Sequence, residues 1–280
     1  MVQDVYLPHV SRIRRITQET DSSDVKTFEV IFLNEDAWQG FKYAPGQFAE
    51  VSIFGVGEAP ISITSSPTQE GYLEFSVKRM GAVTTALHHL EEGAVIGVRG
   101  PYGNTFPIED MKGRDIIFIG GGIGLAPLRS LINYMLSAKY RADFGKIDII
   151  YGARSPGDLV FKWELEKWRQ RDDVNLVVTV DRGDDAWTGR VGFVPAVLKE
   201  VAPAPGGAVA VTCGPPIMIK FVIQNLLELG FAPEQIVTTL EMRMKCGIGK
   251  CGRCNIGSKY VCKDGPVFTY AQLGEMPKEY

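Results

Sequence analysis

Apolar and polar residues along the chain follow two different rhythms. In the first hundred or so residues they alternate with a period of two. Phe28, Val30 and Phe32 share one face of Val25–Leu33, and Leu73, Phe75 and Val77 alternate with Glu74, Ser76 and Lys78. Such alternation predicts half-buried strands. A short strand is also predicted over Ile13–Ile16, and a helix over Val83–Leu90. Gly46, Gly55, Gly57, Gly71, Gly93 and the Tyr43-Ala-Pro-Gly46 turn separate these segments. Many short strands between turns predict an antiparallel β-barrel.

The rhythm changes at Arg114. Asp115–Ile119 is a continuous apolar run after its first residue, as in a strand covered on both faces. Strands are also predicted over Ile147–Tyr151, Leu176–Val180 and Val209–Thr212. Helices are predicted over Ala126–Ala138, Leu159–Arg169, Val194–Glu200 and Pro216–Leu229. This alternation predicts a parallel sheet with right-handed crossovers. The expected fold class is therefore β-barrel plus α/β with a small C-terminal appendage. The division is 1–110, 111–237 and 238–280, and 280 residues suit it.

Composition adds exclusions. The chain is 45% hydrophobic and 22% charged, with net charge −3, so no broad basic field for nucleic acid is expected. No apolar run reaches the roughly 20 residues of a membrane span. Met1–Pro8 lacks the charged and apolar segments of a signal peptide, and the expected location is cytoplasmic.

The candidate chemistry is concentrated near the end. Cys246, Cys251, Cys254 and Cys262 are four of the chain's five cysteines, spaced C-x4-C-x2-C-x7-C. The first part of this spacing is that of a plant-type 2Fe-2S loop, closed by a later cysteine. Gly247, Gly249 and Gly252 suit a loop whose N–H groups point at sulfur, and Lys245, Lys250 and Arg253 would offset its negative charge. Zinc, a disulfide pair and free thiols are the competing readings. Zinc sites usually space two ligand pairs further apart, and disulfide frameworks suit small secreted domains. The second feature is Gly120, Gly121, Gly122, Ile123 and Gly124, lying between a predicted buried strand and a predicted helix. That position suits a pyrophosphate-binding loop, or a tight turn that merely connects the two. His9, His88 and His89 form no ligand pattern with the cysteines, and His88 and His89 read as helix-surface or barrel-packing residues.

A barrel, then this loop, then Cys213-Gly214-Pro215-Pro-Ile-Met218 after a late strand resembles the ferredoxin–NADP reductase superfamily. The resemblance implies FAD in the barrel and NAD(P)H over the sheet. Ala59-Pro60-Ile61-Ser62 is similar to the superfamily's first flavin signature, but its arginine is missing, and Ile63 follows. Ser62 would lie near the reactive flavin nitrogen. Val77, Lys78 and Arg79 would line the cofactor, with Lys78 and Arg79 as substitute diphosphate anchors. Gly81, Val83 and Thr84 match the second signature. Cys213 would sit near the nicotinamide in a packing or positioning role, and Gly214, Pro215, Met218 and Arg154 would meet the nucleotide. Asp181 and Arg190 are left open.

The tail from Thr239 resembles one branch of the superfamily. That branch comprises the dihydroorotate dehydrogenase electron-transfer subunit, the small subunit of bifurcating NADH-dependent ferredoxin:NADP oxidoreductase, sulfhydrogenase gamma and the anaerobic sulfite reductase flavin subunit. It implies an electron-transfer subunit acting with redox partner subunits. The alternatives are a stand-alone NAD(P)H-dependent reductase and a zinc-stabilised nucleotide-binding subunit without catalysis.

Overall fold

The computed structural model describes residues 5–277. Part of the Met1–Pro8 stretch therefore lies outside the described residues. The first unit is built from β1 (His9–Gln18), β2 (Val25–Phe32), α1 (Glu35–Gly40), β3 (Phe48–Ile53), β4 (Gly57–Ser62), β5 (Leu73–Lys78), α2 (Ala82–His88), β6 (Val95–Tyr102) and α3 (Ile108–Met111). Its six strands are ordered β4-β3-β6-β1-β2-β5, all antiparallel. Phe28, Val30, Val51, Leu73, Phe75, Val77, Ile96 and Val98 fill the interior. His88 is barrel packing: its Nε2 lies 2.9 Å from the carbonyl of Val77 and its ring meets Phe28 edge-on.

The second unit alternates β7 (Ile116–Gly121), α4 (Leu125–Leu136), β8 (Ile147–Ala153), α5 (Lys162–Arg169), β9 (Val174–Val180), β10 (Arg190–Val191), α6 (Val194–Val201), β11 (Val209–Cys213), α7 (Pro216–Glu228) and β12 (Ile236–Thr239). Then follow β13 (Asn255–Ile256), β14 (Lys259–Tyr260), α8 (Val261–Asp264), β15 (Val267–Thr269) and α9 (Tyr270–Gly274). The sheet order is β10-β9-β8-β7-β11-β12-β15. Strands β10 to β12 are parallel, and β15 returns antiparallel to β12. The segment after 238 therefore closes one edge of the nucleotide-domain sheet. On β7, Ile116 and Phe118 face one core and Ile117 and Ile119 the other, which is why this strand reads as an unbroken apolar run.

The two units are joined by buried polar contacts. Arg129 of α4 is 1% exposed and pairs with Glu164 of α5 and, at 2.7 Å, with Glu74 of β5. The Arg129 guanidinium also lies 4.8 Å from the Phe161 ring centre. Glu19 accepts the main-chain N–H of Phe161 at 2.8 Å, and Ser130 donates to the carbonyl of Ser65 at 2.7 Å. Buried charges persist when paired in this way. The same contacts fix how the barrel faces the nucleotide sheet.

Candidate redox site between barrel, sheet and cysteine loop

The strand order reverses direction between β7 and β11, and crevices at such switch points hold ligands in open α/β sheets. A cavity of about 920 Å³ opens there, within the usual range for cofactor sites. Gly121, Gly122, Ile123, Gly124, Arg154, Cys213, Gly214, Pro215 and Met218 line it from the sheet, and Lys78 lines it from the barrel. Asp181 and Glu241 also reach it. Gly124 could not be another residue without movement, because a Cβ there would lie 2.5 Å from the carbonyl oxygen of Cys213. This close approach seats the start of α4 against the end of β11. Arg190 lies away from the cavity and pairs with Glu200.

Cys213 is 4% exposed and accepts a hydrogen bond from Thr239 Oγ1 at 3.0 Å. Burial pushes its thiol up to about 12, so it stays protonated and is no nucleophile. Its place in the cavity wall fits packing against a bound ligand.

Pro60, Ile61 and Ser62 are half-buried on β4. Strands β4 and β5 are the two ends of the barrel's sheet order. Beyond β4 they are joined where Thr64 donates its N–H to the Glu74 carbonyl at 2.8 Å and accepts from Ser76 N–H at 2.9 Å. Edge strands leave main-chain donors and acceptors open. That donor set, beside half-buried apolar side chains, fits a planar heterocycle such as flavin. Gly81 is the N-cap of α2, and Thr84 Oγ1 accepts from the N–H groups of Met80 and Gly81 at 2.9 and 3.0 Å. Val83 approaches Gly57 of β4. Ile63 and Val77 are core side chains, so what they offer a ligand is main chain. Gly120 is packed among Leu125, Leu128 and Tyr151 and does not line the cavity. Arg79 is exposed, and Lys78 pairs with Asp24 at 3.4 Å.

In the cysteine loop, main-chain N–H groups converge on sulfur. Gly249 N–H donates to Cys262 Sγ at 3.1 Å, and Lys250 and Cys251 donate to Cys246 Sγ at 3.3 and 3.4 Å. Cys262 N–H donates to Cys254 Sγ at 3.4 Å. Burial opposes the thiolate at Cys246, yet N–H groups of Cys251, Ile248 and Lys250 outweigh it and bring this thiol down to about 6. Gly247 has φ +73°, and a Cβ there would meet the Tyr102 ring at 2.7 Å. Cys254 and Cys262 are buried against Phe48, Ile256 and Val261, whereas Cys251 is exposed. Sulfurs held by main-chain donors fit an anionic iron–sulfur ligand set. Among the described residues, no group of three or more histidine, cysteine, aspartate or glutamate side chains is placed to hold a single ion.

The sequence reading missed a buried acid beside this loop, close enough to Cys246 for their charges to interact. Glu50 of β3 is fully buried, and neither carboxylate oxygen has a partner. Burial raises its pKa from 4.5 to about 7, with Arg99 opposing and the Glu58 and Cys246 charges adding. A more negative loop would push it further up. Because the folded value is raised, Glu50 favours folding fully below about 4.5, and this contribution is lost as pH rises through about 7. Glu50→Gln should therefore stabilise the protein at pH 8 by roughly 3 kcal/mol and change little at pH 4.5. Thermal unfolding at the two pH values measures this, and equal shifts at both would contradict it.

An antiparallel barrel, a parallel nucleotide sheet and a four-cysteine loop packed on the barrel define an oxidoreductase with a ferredoxin reductase-like fold and an iron–sulfur domain. The oxidoreductase FAD-binding domain family matches residues 13–106, and the oxidoreductase NAD-binding domain family matches 118–224. The iron–sulfur cluster binding domain of dihydroorotate dehydrogenase B matches 241–274. The gamma subunit of sulfhydrogenase 1 from Pyrococcus furiosus is 40% identical over 97% of this chain and 94% of its own. A probable dihydroorotate dehydrogenase B electron transfer subunit from Methanocaldococcus jannaschii is 37% identical over 93% and 89%. The structure of an NADH-dependent reduced ferredoxin-NADP oxidoreductase superposes with a TM-score of 0.76 at 24% identity, over 99% of this chain and 91% of that one. The chain belongs to the family of iron–sulfur flavoprotein electron-transfer subunits that contains the sulfhydrogenase gamma and dihydroorotate dehydrogenase B subunits.

Proposed function

We propose that this chain passes electrons between NAD(P)H, FAD and a 2Fe-2S cluster, to or from a redox partner subunit in the cytoplasm. Hydrogenase, sulfite reductase and ferredoxin oxidoreductase types are the partners this reading admits. The observation that supports it is that the barrel contacts both the nucleotide cavity and the cysteine loop. The nucleotide cavity meets the barrel at Lys78 and the barrel strands β3 and β6 meet the cysteine loop, where Cys251 is exposed. FAD accepts electron pairs and releases single electrons, and the protein's part is placement and tuning. Gly121 to Gly124 would hold the nucleotide diphosphate with main-chain N–H groups, and Arg154 would meet the ribose or its phosphate. Cys213 would pack beside the nicotinamide, and Ser62 would face the flavin ring. Cys246, Cys251, Cys254 and Cys262 would ligate the cluster. The C-x4-C-x2-C-x7-C spacing favours this over zinc. Among the described residues no helix is long and apolar enough to cross a membrane.

With Ala59 where the signature arginine would stand, Lys78 and Arg79 are assigned to the FAD diphosphate. A charge-assisted hydrogen bond contributes about 1.5–3 kcal/mol. Lys78→Ala should therefore raise the FAD dissociation constant roughly tenfold or more, read by fluorescence of released flavin. If neither Lys78→Ala nor Arg79→Ala changes FAD retention, the assignment is wrong.

A further inference from the structure

Arg99 of β6 satisfies all of its donors while remaining 4% exposed. Its neighbours Ile96 and Val98 point into the barrel core, whereas the guanidinium lies under the cysteine loop. Nε and Nη2 donate to the two carboxylate oxygens of Glu58 at 2.9 and 2.8 Å. Nη1 donates to the carbonyl of Cys246 at 2.9 Å and to the Tyr102 hydroxyl at 3.1 Å. Nη2 also donates to the carbonyl of Lys245 at 3.2 Å. An arginine has five N–H donors, so none is left over. Glu58 is on β4, next to Ala59–Ser62, and Ser52 Oγ fixes it at 2.7 Å. One side chain thus joins the barrel's edge strand to the main chain of the first cysteine of the loop.

An ion pair serving stability alone would not need the loop carbonyls, and lysine could not make this fork. The geometry points to Arg99 as a positioning residue that clamps the iron–sulfur loop to the flavin-edge strand and makes the bound centre easier to reduce. The inference rests on the reading of the four cysteines as an iron–sulfur site. Transfer of one electron between fixed centres falls steeply with their separation, so a clamp between the two sites acts on its rate. The charge acts on the equilibrium. Without the cation, Glu58 stands unpaired beside the loop, and added negative charge makes such a centre harder to reduce.

Two variants of the full-length chain separate these effects. Arg99→Lys keeps the charge and loses the fork, whereas Arg99→Gln loses both. In iron-free protein, trypsin should cut at Lys245, Lys250 and Arg253 at least about tenfold faster in both variants than in wild type. In iron-loaded protein, the equilibrium constant for one-electron reduction should fall about tenfold in Arg99→Gln, equivalent to 59 mV. It should stay near wild type in Arg99→Lys. FAD content and circular dichroism check the fold. Equal cleavage in all three iron-free proteins would overturn the clamp, and unchanged reduction of loaded Arg99→Gln would overturn its electrostatic part. If Arg99→Gln takes up no iron, the cleavage comparison decides. If wild type takes up no iron, the cluster reading fails, while the cleavage comparison still judges the clamp.

Discussion

Replacing Cys254 by serine is expected to remove nearly all iron from the protein. Cys254 is 1% exposed, lies at the base of the loop against Phe48 and Val261, and accepts the N–H of Cys262. A serine hydroxyl is a poor ligand at neutral pH, and no spare cysteine is at hand. The fifth, Cys213, is held by Thr239 in the wall of the nucleotide cavity. Anaerobically prepared wild type should hold about two irons per chain, the number that defines the proposed cluster. Cys254→Ser should hold less than about a tenth of that, and Cys213→Ser should match wild type. Full iron in Cys254→Ser, or its loss in Cys213→Ser, would show that the ligands are misassigned.

Arg129→Ala should destabilise the fold by about 3–5 kcal/mol, the usual effect of removing one partner from a buried ion pair. Glu164 and Glu74 would be left facing each other with little water, and Glu19 is close enough to add to their repulsion. Because Glu74 belongs to the barrel and Arg129 to the nucleotide unit, the loss falls on the joint between them. Neutralising both acids as well, with Glu74→Gln and Glu164→Gln, should recover part of the stability. Denaturant unfolding is the measurement. A loss below about 1 kcal/mol would mean that Arg129 is not the fastening described here.

The nucleotide half was well marked in the sequence, because both of its signals are local. β7 is buried on both faces and reads as an unbroken apolar run that ends in Gly120 and Gly121, and Gly122–Gly124 follow directly. The barrel was half legible. β2 and β5 alternate cleanly, but β3 is buried on both sides. Ala49 and Val51 fill the barrel, while Phe48 packs against the cysteine loop. Its period of two is therefore blurred by a partner some 200 residues later in the chain. β6 is interrupted by Gly97, Gly100 and Pro101. The return of β15 to the sheet could not be read either, since three residues carry no period. The same holds for Arg99, Glu58 and Glu50: each reads as an ordinary polar strand residue, and its role comes from long-range packing. The spacing of the four cysteines was legible, whereas their seating against the barrel was not.

That seating gives the cysteines their functional meaning. The loop is packed on the outer wall of β3 and β6, and β4, beside β3, carries Pro60–Ser62. Lys78 of the barrel and Cys213 of the sheet line the nucleotide cavity. Each element is held by short-range chemistry: glycine at the closest approach, main-chain N–H groups at sulfur, and arginine forks where units meet.

The central claim is that nicotinamide nucleotide reduces both the flavin and the iron–sulfur centre of one chain. The most direct test is to titrate the anaerobic, cofactor-loaded protein with NADH and, separately, NADPH. Flavin absorbance and low-temperature electron paramagnetic resonance are followed together. The flavin band should bleach with at least one of the two nucleotides, and a reduced iron–sulfur signal should grow toward about one spin per chain. Complete bleaching of the flavin with no iron signal, in protein that contains zinc in place of iron, would contradict the account.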